Sequence, residues 1–455
     1  MALVLWLWFY GFGSMALVLW LWFYGQRLKG MHALSIYRYE TETMHSAPVV
    51  PTRFLRTSNT MSDNLVKAAQ WMTNNQSDAA KRLQRWCDQN SWSMDAQRLR
   101  DMADRLCEDF ACFGVDFHQA NLPALKTLGD EEAWAEQETG PALIWHHNAQ
   151  AQRRVLLMIH YDTVYPMGSE PAKCTAKGSK LIGPGTADAK GGIAVIAMAV
   201  EAILKFDLAS DVGVSIFLNP DEEVGSTASR ELMSRIAPKF DAGLLFEPSL
   251  PSGALVRARK GSGNFSFVAR GRSAHAGRNP EAGRNAIVHL SKMVSPLTAL
   301  HNPRAGVLLN IGRIAGGGPL NRVPDHAVMQ LNVRVTDQEK MKFVESSLAA
   351  FADQFTHEDY RVTLTGMFTS PPKPMSDEIA SLQPLVEAAG KTAGRTIAWE
   401  DTGGACDGCK LAAFGLPNID TLGISGGNLH SPEEFCDLES LVPAAHTVAA
   451  FINAF

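Results

Sequence analysis

Five short stretches of the chain carry ionisable side chains in patterns that suit metal ligation or acid–base chemistry. "IHYDTV" (159–164) offers His160 and Asp162, and "GPGTADAKGG" (183–192) offers Asp188. "NPDEEVGS" (219–226) sets Asp221, Glu222 and Glu223 side by side, "FEPS" (246–249) carries Glu247, and "GGNLHSPEE" (426–434) carries His430. Three adjacent carboxylates at the mouth of an apolar run repel one another and resist desolvation. Plain solvent, a cation, or a function that uses the repulsion would offset that cost. Each residue alone has an ordinary reading. A histidine after an apolar strand is usually hydrogen-bonded structure, Asp188 suits a helix N-cap before "AKGGIAV", and Glu222 and Glu223 suit a solvated pair. The joint pattern says more, because each stretch supplies an imidazole or a carboxylate and little else that ionises.

The elements around these stretches determine whether they meet. Apolar, β-branched runs predict strands at "PALIWHH" (141–147), "RVLLMIHYDTV" (154–164), "VGVSIFLN" (212–219) and "AGLLFEP" (242–248). A helix is expected at 189–206, with Ile193, Ile196, Val200 and Ile203 along one side. This order predicts an α/β domain whose mixed, largely parallel sheet is flanked by helices. Ligands of such sheets gather outside the carboxyl ends of the strands, where the first four stretches lie. Residues 62–118 read as helical, with Gly114 closing the second helix.

Near residue 259 the pattern changes to half-exposed alternation. A strand at "GNFSFVARGRSAHAG" and a helix at 283–294 are followed by strands at 306–317 and 326–336, a helix at 337–355 and a strand at 360–366. That order is ferredoxin-like α+β. The expected organisation is a larger domain in two parts, 62–258 and 370–455, with an inserted domain at 259–369.

Composition narrows the function classes. Hydrophobic content of 46% and charged content of 20% are those of an ordinary soluble protein, and a net charge of −5 provides no basic face for nucleic acid or an anionic membrane. Seven cysteines in 455 residues do not make a disulfide scaffold and predict reduced thiols in a cytoplasmic protein. Cys406 and Cys409 form one C-x-x-C, without a second pair to complete a structural zinc site. The apolar segment "MALVLWLWFYG" occurs at 1–11 and again at 15–25. Such an exact repeat points to duplicated or mis-called upstream coding sequence, so residues 1–60 are expected to be a non-native or disordered extension, with Met61 or Met44 as the start. An N-terminal membrane anchor is the alternative.

The ordered motifs H-x-D-T-V, G-x-G-x-x-D-x-K-G-G, D-E-E-x-G-S, F-E-P and a late histidine resemble the M20 family of zinc-dependent peptidases and deacylases. The glycine-rich "EDTGGACDGC" (400–409) makes the glutamate carboxypeptidase branch the nearest likeness. The resemblance implies two zinc ions per subunit bridged by Asp188. His160 and Glu247 would complete one site, and Glu223 and His430 the other. Three protein ligands per ion leave an open position, as catalytic zinc requires. Glu222 would be the general base, since adjacent side chains on an extended segment point apart. Asp162 would orient His160. The peptide bond after Asp188 is expected to be cis.

The resemblance extends to the inserted domain, expected to act as lid and dimerisation surface of a homodimer. His275 would donate to the developing oxyanion, and Asn321, Arg334 and the backbone N–H groups of Gly403 and Gly404 would bind substrate polar groups and a carboxylate. Hydrolysis of an amide bond at a peptide C-terminus is the implied reaction, with deacylation of an N-acyl amino acid as the alternative. A metal- or peptide-binding module without catalysis is disfavoured, because Glu222 is a base that metal binding does not need.

Overall fold

The computed structural model describes residues 62–128, 134–169 and 171–455. The duplicated apolar segment, and with it the expected extension and the anchor alternative, lies outside the described residues. No described helix is long and apolar enough to cross a membrane.

A six-stranded sheet organises the larger domain. Its order is His118–Ala120, Ala142–His147, Val212–Asn219, Arg153–His160, Ala242–Leu245, Asn418–Ile419. The first two junctions are antiparallel and the remaining three parallel. Side-chain alternation sorts each strand between two layers. Val155, Leu157 and Ile159 enter the main core with Leu83, Trp86, Ile196 and Val448, while Leu156 and Met158 pack with Phe217, Met233 and Leu411 on the other face.

The helix Lys190–Lys205 differs from the expected amphipathic element. Every residue from Lys190 to Val200 is buried, because the helix lies on the strand Arg153–His160 beneath the helices Asp63–Asn74, Gln76–Cys87 and Leu441–Ala454. Over that stretch the helix is enclosed and has no polar face; only its last turn, with Glu201 and Lys205, reaches the surface. Gly192 permits its start to sit against the end of the neighbouring strand: a Cβ there would lie 2.1 Å from the Phe246 carbonyl oxygen.

Residues 261–370 build a second sheet with its own core. Its order is Val307–Gly316, His326–Val335, Gly261–Arg270, Arg361–Ser370, antiparallel throughout. The helices Ala286–Thr298 and Gln338–Gln354 cover one face, where Phe267, Leu290, Met293, Leu331, Val333 and Leu348 are buried together. Arg334 therefore lies on the opposite face, with Asn332. The chain leaves and re-enters the larger domain side by side, as Arg259 and Lys373 exchange backbone hydrogen bonds of 2.9 and 3.0 Å. Their side chains share the buried carboxylate of Asp420.

One positioning element has no counterpart in the sequence reading. A small antiparallel ribbon runs Gly426–Gly427, Phe435–Asp437, Lys180–Ile182, Thr175–Lys177, and pairs Phe435 with Ile182. The loops carrying Asp188 and His430 leave this ribbon next to each other.

Candidate functional site

The strand Arg153–His160 ends at His160, which is buried with its Nε2 3.1 Å from Asp188 Oδ1 and 4.0 Å from Glu247 Oε2. On the other side of Asp188, His430 Nε2 lies 3.4 Å from Oδ2 and 3.2 Å from Glu223 Oε2. The two oxygens of one carboxylate thus face two different imidazoles, each with a second carboxylate beside it. His160, Asp188 and Glu223 place one donor atom each within 4.8 Å of one another. His430 adopts φ +60°, a left-handed backbone that few non-glycine residues take. The Asp188–Ala189 peptide bond is cis.

Electrostatics mark the cluster as rich in buried negative charge. Burial, reinforced by Asp188, raises the Glu223 pKa to about 7 against the opposing hydrogen bond from His430. Burial likewise raises Glu247 to about 8, with Asp188 and Asp407 adding to the effect. Burial also lifts Glu222 well above the carboxylate range, and Glu247 and Asp407 lift it further. Burial acts to raise Asp188 too, but hydrogen bonds from His160 and His430 hold it below its ordinary value. His430 is raised to about 10 by its hydrogen bonds to Asp188 and Glu223. Buried Glu223 Oε1 has no hydrogen-bond partner. Excess buried negative charge, an unpartnered carboxylate oxygen and two imidazoles around one carboxylate form a donor set that fits divalent metal of the zinc type.

The "DEE" stretch divides in two. Asp221 turns inward as structure, accepting from the backbone N–H groups of Ala228 and Ser229 at 2.8 and 3.1 Å and from the Ser229 hydroxyl at 2.6 Å. Glu222 and Glu223 do not lie on the extended segment anticipated from the sequence. They form a 3₁₀ turn, Glu222–Val224, closed by Gly225 at φ +94°. The turn is held from outside: Asp162 Oδ1 and Oδ2 accept the N–H groups of Glu222 and Glu223 at 3.2 Å each. Asp162 also lies 3.2 Å from His160 Nδ1 and accepts the Ser93 hydroxyl at 2.7 Å.

Several residues around the cluster escaped the sequence reading. Lys410, fully buried, donates to Asp407 Oδ1 at 2.8 Å and to Ser226 Oγ at 3.1 Å, and Asn219 Nδ2 donates to Asp407 Oδ2 at 2.7 Å. This network ties the glycine-rich segment to the glutamate turn. Asp407 lies in the glycine-rich stretch next to Cys406, with no local pattern to mark it. Glu434, two residues past a proline in the last stretch, is completely buried.

The expected substrate residues separate into two groups. Arg334 Nη1 donates to the Gly403 carbonyl at 2.5 Å, across from the inserted sheet to the larger domain. Gly404 presents its carbonyl to Arg259 at 3.0 Å, and its N–H lies 3.4 Å from Thr402 Oγ1. The glycine turn therefore engages both arginines through its carbonyls, and its Gly404 N–H faces Thr402. His275 and Asn321 lie together elsewhere: both are exposed, and the Asn321 carbonyl accepts the Ala276 N–H at 2.9 Å. Among the described residues no hydrogen bond or ion pair ties His275 to the cluster. Cys406 and Cys409 are buried, and all seven cysteines are free.

Residues 156–454 match Peptidase family M20/M25/M40, and the chain belongs to that family. It is a hydrolase of the metallopeptidase and deacylase kind. Carboxypeptidase G2 of Pseudomonas sp. (strain RS-16) is 29% identical over 348 residues, 74% of this chain and 82% of that protein. Succinyl-diaminopimelate desuccinylase of Albidiferax ferrireducens is 23% identical over 378 residues, 77% of this chain and 90% of that protein. The fold matches aminopeptidase PepT from Bacillus cereus with a TM-score of 0.65 at 21% identity, covering 84% of this chain and 98% of that one. It matches the Bacillus subtilis YXEP protein, described as a dinuclear metal-binding peptidase, with a TM-score of 0.60 at 14% identity over 84% and 98%.

Proposed function

We propose that the chain is a zinc-dependent carboxypeptidase that hydrolyses the amide bond before a C-terminal residue of a small peptide. The observation that carries this reading is the division of Asp188, with Oδ1 facing His160 and Oδ2 facing His430. In that arrangement His160, Asp188 and Glu247 would hold one zinc, and Asp188, Glu223 and His430 the other. Bound zinc supplies Lewis acidity and lowers the pKa of water to about 7.

The protein's own groups supply the rest. Glu222, its carboxyl pKa raised by burial, takes a proton from the attacking water and delivers it to the leaving amine nitrogen. Asp162 sets its position through the Glu222 N–H and orients His160. Arg334, held beside Gly403, receives the substrate carboxylate through its planar fork. Asn321 contributes a polar contact, and His275 stabilises the developing oxyanion from the partner subunit of a homodimer formed by the inserted domains. Its exposed position, with no hydrogen bond or ion pair to the cluster among the described residues, is consistent with donation across an interface.

Similarity to a desuccinylase over 77% of the chain supports a second reading, deacylation of an N-acyl amino acid by the same groups. A panel of dipeptides and N-acyl amino acids assayed with zinc-restored enzyme separates the two. Release of a C-terminal amino acid that Glu222→Gln abolishes, with zinc content intact, supports the proposal. Turnover confined to N-acyl amino acids selects the deacylase, and absence of bound zinc overturns both.

A further inference from the structure

The glutamate at the end of "GGNLHSPEE" occupies an unusual position for a charged side chain. Glu434 is completely buried, and its carboxylate is surrounded by donors from two other loops. Oε1 accepts the backbone N–H groups of Ala187 and Asp188 at 2.9 and 3.0 Å. Oε2 accepts the Gly185 N–H at 3.2 Å and the Tyr165 hydroxyl at 2.7 Å. The Glu434 backbone carbonyl also accepts the Gly183 N–H at 2.8 Å. One residue therefore gathers the turn 183–188, the segment just after His160 and Asp162, and the loop that presents His430.

Burying a carboxylate is costly unless its lone pairs are filled, and here each oxygen has two donors. The neighbouring Glu433 is exposed, so the sequence places one solvated and one enclosed glutamate side by side. Of these donors, the Asp188 amide is the one that belongs to a residue of the cluster. Since the Asp188 side chain must divide its oxygens between His160 and His430, a small rotation of this turn would bring one oxygen out of line with its imidazole. We propose that Glu434 is a positioning residue that sets Asp188 between the two imidazoles, and that Tyr165 holds Glu434 in register. This inference rests on the dizinc reading of the site. Outer partners that orient metal ligands typically affect metal affinity or activity by about 10–100-fold.

The test compares full-length wild type, Glu434→Gln and Glu433→Gln. Zinc affinity is measured by competition with a chromophoric chelator, alongside kcat, KM and the melting temperature of the metal-free proteins. Gln retains the size of the side chain but replaces one acceptor oxygen with a donor. The expected result is zinc affinity about 10–100-fold weaker and a lower kcat at similar KM for Glu434→Gln, with Glu433→Gln like wild type. If Glu434→Gln does not fold, Tyr165→Phe removes one donor and keeps the carboxylate, with a smaller loss of zinc affinity in the same direction expected. Wild-type zinc affinity and kcat in either folded variant overturns the inference. Failure of the wild type itself to bind zinc overturns the dizinc reading, and is distinguishable because it does not depend on residue 434.

Discussion

The carboxylate of Asp162 receives the backbone N–H of Glu222 at 3.2 Å, although sixty residues separate them. Asp162 is fully buried and contacts His160 at the same time, so one side chain sets both a histidine donor and the backbone of the glutamate turn. Its companion oxygen accepts the Glu223 N–H, so both glutamates rise from a fixed backbone. The third carboxylate fixes the backbone of this turn and adds to its negative charge, since Asp162 itself helps to raise Glu223.

Replacing Asp162 should therefore damage more than the orientation of His160. Asp162→Asn keeps the shape but places an amide NH₂ where one oxygen accepts a backbone N–H. A fall of about 10–100-fold in zinc affinity or kcat is expected. Zinc titration and steady-state kinetics check this, and wild-type values for both would contradict the dual role.

Glu222→Gln should leave the metal donors intact and remove proton transfer. A loss of about 10²–10⁴-fold in kcat is expected, the usual contribution of a general base. Metal analysis of the same sample must show unchanged zinc; a variant that loses metal would assign Glu222 to ligation instead.

Arg334→Lys retains charge but not the fork that reaches Gly403. Charge-assisted hydrogen bonds contribute about 1.5–3 kcal/mol, which predicts roughly a 10- to 100-fold lower kcat/KM on substrates ending in a free carboxylate. C-terminally amidated substrates should discriminate less between the variant and wild type. Equal losses on both would make Arg334 a support for the glycine turn alone.

Removal of metal should change how stability responds to pH. Burial raises Glu223 to about 7 and Glu247 to about 8, whereas an unfolded glutamate titrates near about 4.3. The folded chain binds these protons more tightly, so the stability they contribute is present below about pH 4 and is lost as pH rises through their folded values. His430, raised to about 10 by Asp188 and Glu223, acts in the same sense: its contribution is present below about pH 6.5 and is lost as pH rises toward 10. The chelated protein should melt at progressively lower temperature from pH 5 to about pH 9, with the zinc-restored protein free of that decline. Parallel pH profiles for the two forms would contradict the charge balance inferred for the site.

Much of the architecture was legible because its signals are local. The strand at 153–160 and the alternation of His326–Val335 follow from side-chain periodicity and apolar runs, and the strand-end rule brings His160 and Glu247 to one edge. The turn at Glu222 was misread as extended because its geometry depends on Asp162, far away in sequence. The complete burial around Lys190–Val200 was missed because the helices that cover it come from both ends of the chain.

Residue order alone determined which chemistry was present: two imidazoles and a set of carboxylates at strand ends, within motifs specific enough to indicate a family. Only the tertiary structure decided how they are shared. The ribbon pairing Phe435 with Ile182 uses strands of two or three residues, too short for a periodic signal, and it brings Asp188 beside His430. Which oxygen of Asp188 faces which histidine, and the enclosure of Glu434 beneath it, depend on that long-range pairing. A side chain's type is inherited from the sequence, but its partners are set by backbone segments whose hydrogen bonds form only once the chain has closed on itself.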